Sequence, residues 1–260
     1  MKKKAVYLFF YKIKPLLDKI NPVGEKKINY KSKSKKKVDP VTFFDLKIEK
    51  SLFKLISKNF PEHQIISEEK KNKFTNSKYK WVIDPIDGTK AFLMGIPTWS
   101  NLLGFTINNK PSVGFANFPM LKKLFFSNGQ KSFLIENKKK KVISTKKNKS
   151  KYVRLAINSY YPLFKKNFLQ FIKEFNGIKK FSGLDAYNYC LLAQGKIDVI
   201  IDTELKDYDI IPLIPILKNA GAIITNFKGS EDISKGELIV SRNQKIHNQI
   251  LKQIKKFKIS

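Results

Sequence analysis

The sequence predicts a mixed α+β protein of the α/β kind, with helices layered on sheets. Three observations carry that prediction. Of the 260 residues, 42% are hydrophobic and 13% aromatic, enough to bury a substantial core in one large domain or two packed lobes. Short apolar runs separated by turn residues fill 100–126, and strand-like and helix-like segments alternate from Tyr152 onward. No internal repeat interrupts this organisation.

Ala5 to Ile20 has helical spacing, and Asn21-Pro22 with Gly24 stops it. Met1-Lys2-Lys3-Lys4 has the charge of a signal-peptide start, but Lys12 and Lys14 break the apolar run that follows. No segment approaches the roughly 20 apolar residues that span a bilayer, so a soluble chain with no membrane contact is expected. A lysine-rich loop from Lys26 to Lys37 precedes a helix from Val41 to Phe60, where Phe44, Ile48, Leu52, Leu55 and Ile56 share one face and Asp45 lies in the first turns. Ile65-Ile66 then leads into Ser67-Glu68-Glu69, and Lys70 to Lys80 reads as a polar loop.

Trp81-Val82-Ile83 reads as a buried strand, ended abruptly by Pro85 and Asp87-Gly88. Leu102 to Ile107, Val113 to Phe118 and Leu124 to Phe126 form an antiparallel meander turning at Asn108-Asn109-Lys110. The charge run from Lys138 to Lys151 predicts a solvated loop, dividing a lobe of residues 1–140 from one of 141–260. Beyond it follow a strand over Tyr152–Ile157, a helix through Leu163–Phe175, a helix from Asp185 to Gln194, and a strand Val199–Ile201. A helix after Asp209, strands at Ile223-Ile224 and Leu238–Val240, and an amphipathic helix from Asn243 to Phe257 close the chain. Pro212 suits a first turn, whereas Pro215 should kink that helix.

The net charge of +31 raises a polyanion as partner. The excess is nearly all lysine; Arg154 and Arg242 are the only arginines, so the guanidinium forks of base recognition are almost missing. Abundant Lys, Asn, Ile and Phe together point to biased codon usage over an ordinary fold, with nucleic acid bound only non-specifically through the lysine surface. Cys190 is the only cysteine, which excludes an intramolecular disulfide and fits a reducing cytoplasm. His63 and His247, the only histidines, read as solvated or helix-face residues.

The chemistry concentrates where apolar runs stop. Asp84 and Asp87 offer hard oxygen ligands, the Ile86 carbonyl offers a third, and Gly88 lets backbone N–H groups approach a phosphate. Glu68-Glu69 and Asp207-Tyr208-Asp209 are two further acidic clusters at such ends. Singly, each has an ordinary reading: a hairpin turn, a solvated loop, a helix cap. If Asp209 binds metal, its side chain is not available for capping. Together they sit where α/β sheets collect ligands, and they point to Mg2+-assisted attack on a phosphate ester.

Glu68-Glu69, the Asp-Pro-Ile-Asp-Gly-Thr run of 84–89, and Asp209 opening a helix that ends Asn219-Ala220-Gly221 occur in an order that resembles the inositol monophosphatase superfamily, over about Val38 to Val240. Met94-Gly95-Ile96-Pro97 and the stretch from Leu205 to Ile216 look most like its histidinol-phosphatase branch. The resemblance implies an αβαβα layered sugar-phosphatase fold and magnesium-dependent phosphomonoester hydrolysis. It implies that Glu68, Asp84 and the Ile86 carbonyl hold one Mg2+, and that Asp84, Asp87 and Asp209 hold a second. Gly88 and Thr89 would bind phosphate through backbone N–H groups. The Thr89 hydroxyl, tied to Asp45, would help Glu68 deprotonate the attacking water, with Asp185 and Asp202 on the substrate side.

Ser67, Phe43, Asp207, Pro212 and Ala222 depart from the family pattern; Phe43 threatens to shift Asp45, and Ser67 to alter the turn that aims Glu68. The expected activity is hydrolysis of L-histidinol phosphate, a small phosphorylated metabolite whose cationic groups Asp185 and Asp202 would face. Inositol-1-monophosphatase and 3'(2'),5'-bisphosphate nucleotidase are alternatives of the same fold, and an RNA-binding protein that has kept the fold is the reading of another class. Superfamily members are frequently dimers, so a homodimer is a further expectation, with the meander from Leu102 to Phe118 as its interface.

Overall fold

The computed structural model describes residues 2–19, 29–33, 40–69, 72–147, 150–159, 165–181 and 183–259. Helix α1 (Lys2–Asp18) turns Val6, Phe9, Phe10, Ile13 and Leu17 inward, the stripe its spacing predicts. Strands β1 (Tyr30–Ser32) and β2 (Pro40–Thr42) pair antiparallel, so part of the expected lysine-rich loop is strand. A three-residue strand is too short to show a hydrophobic period. Residues 26–28 and 34–37 of that loop, and the Asn21-Pro22-Gly24 stop, lie outside the described residues. Helix α2 (Phe43–Asn59) buries Ile48, Leu52 and Ile56.

Next come β3 (Gln64–Ser67), β4 (Tyr79–Asp87), the single-turn α3 (Thr89–Leu93), β5 (Ser100–Ile107), β6 (Lys110–Phe118), β7 (Lys123–Ser127), β8 (Ser132–Glu136) and β9 (Lys139–Ile143). Strands β3 to β9 form a seven-stranded sheet in chain order, β3–β4 parallel and the other pairs antiparallel. The meander therefore runs two strands further than expected. Strand β9 lies inside the charge run predicted to be a loop; its lysines are exposed on the sheet edge, where charge discourages further pairing.

The remaining elements are β10 (Val153–Ile157), α4 (Lys166–Glu174), β11 (Gly177–Phe181), α5 (Ala186–Ala193), β12 (Val199–Asp202), α6 (Asp207–Ile210), α7 (Ile214–Ala220), β13 (Ile223–Thr225), β14 (Leu238–Ser241) and α8 (Gln244–Lys256). Their sheet has the order β11-β10-β12-β14-β13, with β10 parallel to both its neighbours. The expected helix start at Leu163 lies outside the described residues. The predicted single helix after Asp209 is two: Pro215 falls in the first turn of α7, where a missing N–H costs nothing, so the chain restarts rather than kinks.

Three apolar cores separate five layers. Trp81, Ile83, Leu103, Phe105 and Phe115 face α1 and α2. Leu102, Ala116 and Phe125, one residue out of phase, face α5 and α7, which also cover Ile200 and Val240 of the second sheet. Val199, Ile201 and Ile239 pack against α4 and α8. The order is αβαβα, as the resemblance implies. Strand β5 is buried on both faces within the chain, so the meander core does not supply the interface suggested for it.

Both histidines are buried, contrary to the solvated reading. His63 accepts a hydrogen bond from Trp81 Nε1 at 3.0 Å inside an aromatic cluster, and His247 lies 2.9 Å from the Thr225 hydroxyl on the inner face of α8. Both arginines reach one buried carboxylate. Asp198 receives Arg154 through Nε at 2.8 Å and Nη2 at 2.9 Å, and Arg242 Nη1 at 2.8 Å.

Candidate active site

Asp84 and Asp87 are three residues apart on one strand, a separation that in regular β structure points side chains to opposite faces. A bulge corrects this. Asp84 pairs with Leu102 and Asp87 with Ser100, so Pro85 and Ile86 together oppose Asn101 alone. The extra residue returns Asp87 to the face of Asp84, while Ile86 packs into the core beneath α1 and α2.

Asp209 arrives from α6 on the other side. Gly104 and Gly114 pair directly across β5 and β6, and a Cβ at Gly114 would lie 1.9 Å from the Pro212 carbonyl oxygen. The paired glycines thus form a seat for Pro212, and the turn between α6 and α7 rests on bare sheet backbone. That contact sets α6 against the end of β4, where carboxylate oxygens of Asp84, Asp87 and Asp209 lie within 4.8 Å of one another. Asp209 Oδ2 also accepts from Lys206 N at 2.7 Å. Capping and membership of the cluster are therefore compatible, contrary to the expectation that one excludes the other, because a carboxylate has a second oxygen.

Glu68 follows β3 and stands beside Asp84, close enough for its charge to raise that carboxyl. Lys33, which nothing in its local pattern distinguishes among so many lysines, reaches Glu68 Oε1 at 2.8 Å and Glu69 Oε1 at 2.5 Å. Asp45 sits fully buried near by, but its partner is not Thr89. Thr42 caps α2, and Asp45 Oδ2 accepts from Thr42 N at 2.7 Å and Thr42 Oγ1 at 2.6 Å, a reciprocal capping box. The Thr89 hydroxyl donates instead to the Ile86 carbonyl at 3.1 Å. Phe43 is 66% exposed, so its ring is turned to solvent and not onto the buried Asp45.

Gly88 has φ +78°, a left-handed conformation, and opens α3. A Cβ there would meet Asp185 Oδ2 at 2.8 Å, so the half-buried Asp185 carboxylate lies over the turn. Asp185 itself has φ +38°, strain typical of functional positions. Asp202 differs. It is 3% exposed, and its oxygens accept from Tyr189 Oη at 2.6 Å and Thr203 N at 2.9 Å, with Asn158 and Ser159 also bonded. Enclosed in this way, it is not presented to a substrate as expected.

The acids repel one another. Burial, then the charges of Glu68, Asp87 and Asp209, pushes Asp84 well above the carboxylate range. Burial and the charges of Asp185 and Asp209 raise Asp87, against hydrogen bonds from Ala186 N at 3.2 Å and Ser100 Oγ at 3.0 Å. Burial lifts Asp209 to about 7 and Asp45 to about 6. Asp84 Oδ1 is buried without a hydrogen-bond partner. An all-oxygen donor set, mutual repulsion and an orphaned acceptor are what a hard divalent cation resolves, so these residues fit magnesium.

The model of the inositol monophosphatase family matches residues 5–258. The chain belongs to that family. It is 30% identical over 240 residues to fructose-1,6-bisphosphatase/inositol-1-monophosphatase of Aquifex aeolicus, covering 89% of this chain and 87% of that protein. It is 29% identical to histidinol-phosphatase of Chlorobaculum parvum, covering 85% of each. The crystal structure of extragenic suppressor protein suhB from Bartonella henselae has the same fold, with TM-score 0.84 and 23% identity over 97% of this chain and 99% of that one. The chain is thus an inositol monophosphatase-family phosphatase, a phosphomonoester hydrolase of a metal-dependent family, and among its described residues no helix is long and apolar enough to cross a membrane.

Proposed function

We propose that this phosphatase hydrolyses L-histidinol phosphate to L-histidinol and phosphate, using Mg2+ held by Glu68, Asp84, the Ile86 carbonyl, Asp87 and Asp209. The observation that carries the reading is the convergence of three carboxylates within 4.8 Å beside a left-handed glycine turn overlaid by a fourth, Asp185. When bound, a pair of magnesium ions supplies an acidified water and stabilises charge on the entering and leaving oxygens of an in-line displacement. Gly88 and Thr89 donate backbone N–H groups to the phosphate, and Glu68 takes the proton from the attacking water. The Thr89 hydroxyl, by donating to Ile86, fixes the direction of that carbonyl. Asp45 lies near enough to Glu68 for their charges to repel, and it is not joined to Thr89.

Asp185 favours a cationic substrate. A carboxylate over the phosphate turn repels an anion whose remainder is neutral, and attracts one that carries an ammonium or imidazolium close to the ester. The Chlorobaculum relative named for histidinol phosphate supports the same choice. A phosphate-release panel with and without Mg2+ tests it. L-Histidinol phosphate should be turned over fastest, and Asp185→Asn should raise its KM while lowering that of inositol 1-phosphate. Much faster turnover of inositol 1-phosphate or of a 3′-phosphonucleotide by the native chain would overturn the assignment.

A further inference from the structure

Asn101 and Asn117 are fully buried, face each other on β5 and β6, and have no part in the reaction proposed above. Buried amides are kept where each has specific partners. Asn101 is the residue opposite the bulge, and its Nδ2 donates to the Pro85 carbonyl at 2.7 Å. Asn117 Nδ2 donates to Asn101 Oδ1 at 3.2 Å and to Asp18 Oδ1, at the end of α1, at 3.1 Å.

The direction of each amide is fixed by its ends. A carbonyl and a carboxylate only accept, so Asn101 must turn its nitrogen to Pro85, and Asn117 must turn its nitrogen to both Asn101 and Asp18. The amide of Asn101 therefore accepts on its oxygen while donating from its nitrogen, an arrangement in which each bond polarises and strengthens the next. Pro85 lacks an N–H, and the bulge interrupts the ladder at its carbonyl. Without Asn101 that oxygen loses a buried donor, and the irregular pairing that places Asp87 beside Asp84 loses its tie.

We propose that Asp18, Asn117 and Asn101 form a positioning relay that holds the Pro85–Ile86 bulge, and through it the spacing of Asp84 and Asp87 for a divalent cation. The proposal rests on the metal-site reading above. It makes the first helix, far from the reacting atoms, a determinant of metal affinity.

Calorimetric titration of the full chain with Mn2+ tests it, with Asp87→Asn as the control that lacks a ligand. Asn101→Leu, with the same branched heavy-atom skeleton but no donor, should raise the Kd about tenfold or more, the scale of effects seen when ligand-orienting partners are lost. Asp18→Ala, at the exposed end where folding is not at stake, should raise it about twofold to threefold, and Asp18→Asn, which keeps an acceptor oxygen, should restore the native value. A residue that only supports the fold would lower the melting temperature and leave the Mn2+ affinity untouched. Native affinity in both Asn101→Leu and Asp18→Ala would overturn the relay. A native chain that binds Mn2+ no better than Asp87→Asn would overturn the metal site itself, a different and recognisable result.

Discussion

Asp84 and Asp198 are equally hidden, each 2% exposed beside a strand, yet their carboxyls are displaced in opposite directions. Burial pushes both upward. At Asp198 hydrogen bonds from Arg154 and Arg242 more than offset it, and the group stays below the usual carboxylate range. At Asp84 the neighbours are Glu68, Asp87 and Asp209, and the group rises. The chain has two arginines and sends both to the aspartate that ties β10, β12 and β14 together. Where Asp84, Asp87 and Asp209 meet, negative charge accumulates. Neutralised acid marks structure here, and uncompensated acid marks the place where the proposed cation would sit.

The sharpest way to break this comparison is Asp87→Asn. It should lower kcat/KM by more than about 100-fold, the upper range for a partner that merely orients a ligand. In EDTA the same variant should melt higher than the native chain, because it removes repulsion; a lower melting temperature would mean the cluster is structural after all. Asp198→Asn should do the reverse, keeping the chemistry of whatever folds while costing about 3–5 kcal/mol in urea unfolding, since it removes the one charge that both guanidinium groups share.

A pH series compares the two regions in one molecule. Asp45 and Asp209 titrate near 6 and 7 when folded, against 3.8 as the ordinary value, so between those limits the folded state holds protons that the unfolded state has lost. Stability of the metal-free chain should therefore fall as pH rises from about 4 to about 7. Mg2+ should reduce that slope by taking the place of the proton on Asp209, leaving the part that belongs to Asp45. Asp198 has the opposite sign, and its contribution should disappear only as pH drops below the ordinary carboxylate value. Melting temperatures from about pH 2 to 8, in EDTA and in Mg2+, check both. The smallest effect belongs to Arg154→Lys, which keeps charge but loses the fork to Asp198 and should cost about 1–2 kcal/mol.

Periodic elements were legible in the sequence because burial imposes a period: α1, α2, α8 and the strands of the meander all show one. The strands β1, β9 and β11 were not, since they are short or lie at sheet edges where lysines are the natural residues. The acids at 84, 87 and 209 could be read because each ends an apolar run. Lys33, Ser100 and Asn101 could not, because their roles depend on which residues lie across from them, and strand register is not written in either strand alone. Asp202 shows the converse: its sequence position suits a ligand contact, but Tyr189, thirteen residues away, closes over it.

The bulge at Pro85 and Ile86 also amounts to a rule of parity. An odd number of steps between two acids on a strand can serve one ion only if the ladder absorbs one residue. Straightening the bulge at the present spacing would aim one of the two acids at the helices behind the sheet, whereas taking out the one extra residue would leave an even spacing that keeps both on one face of a regular ladder. Odd spacing between acids at the end of an apolar run, with proline inside it, is thus a sign of irregular pairing that can be counted along the chain itself.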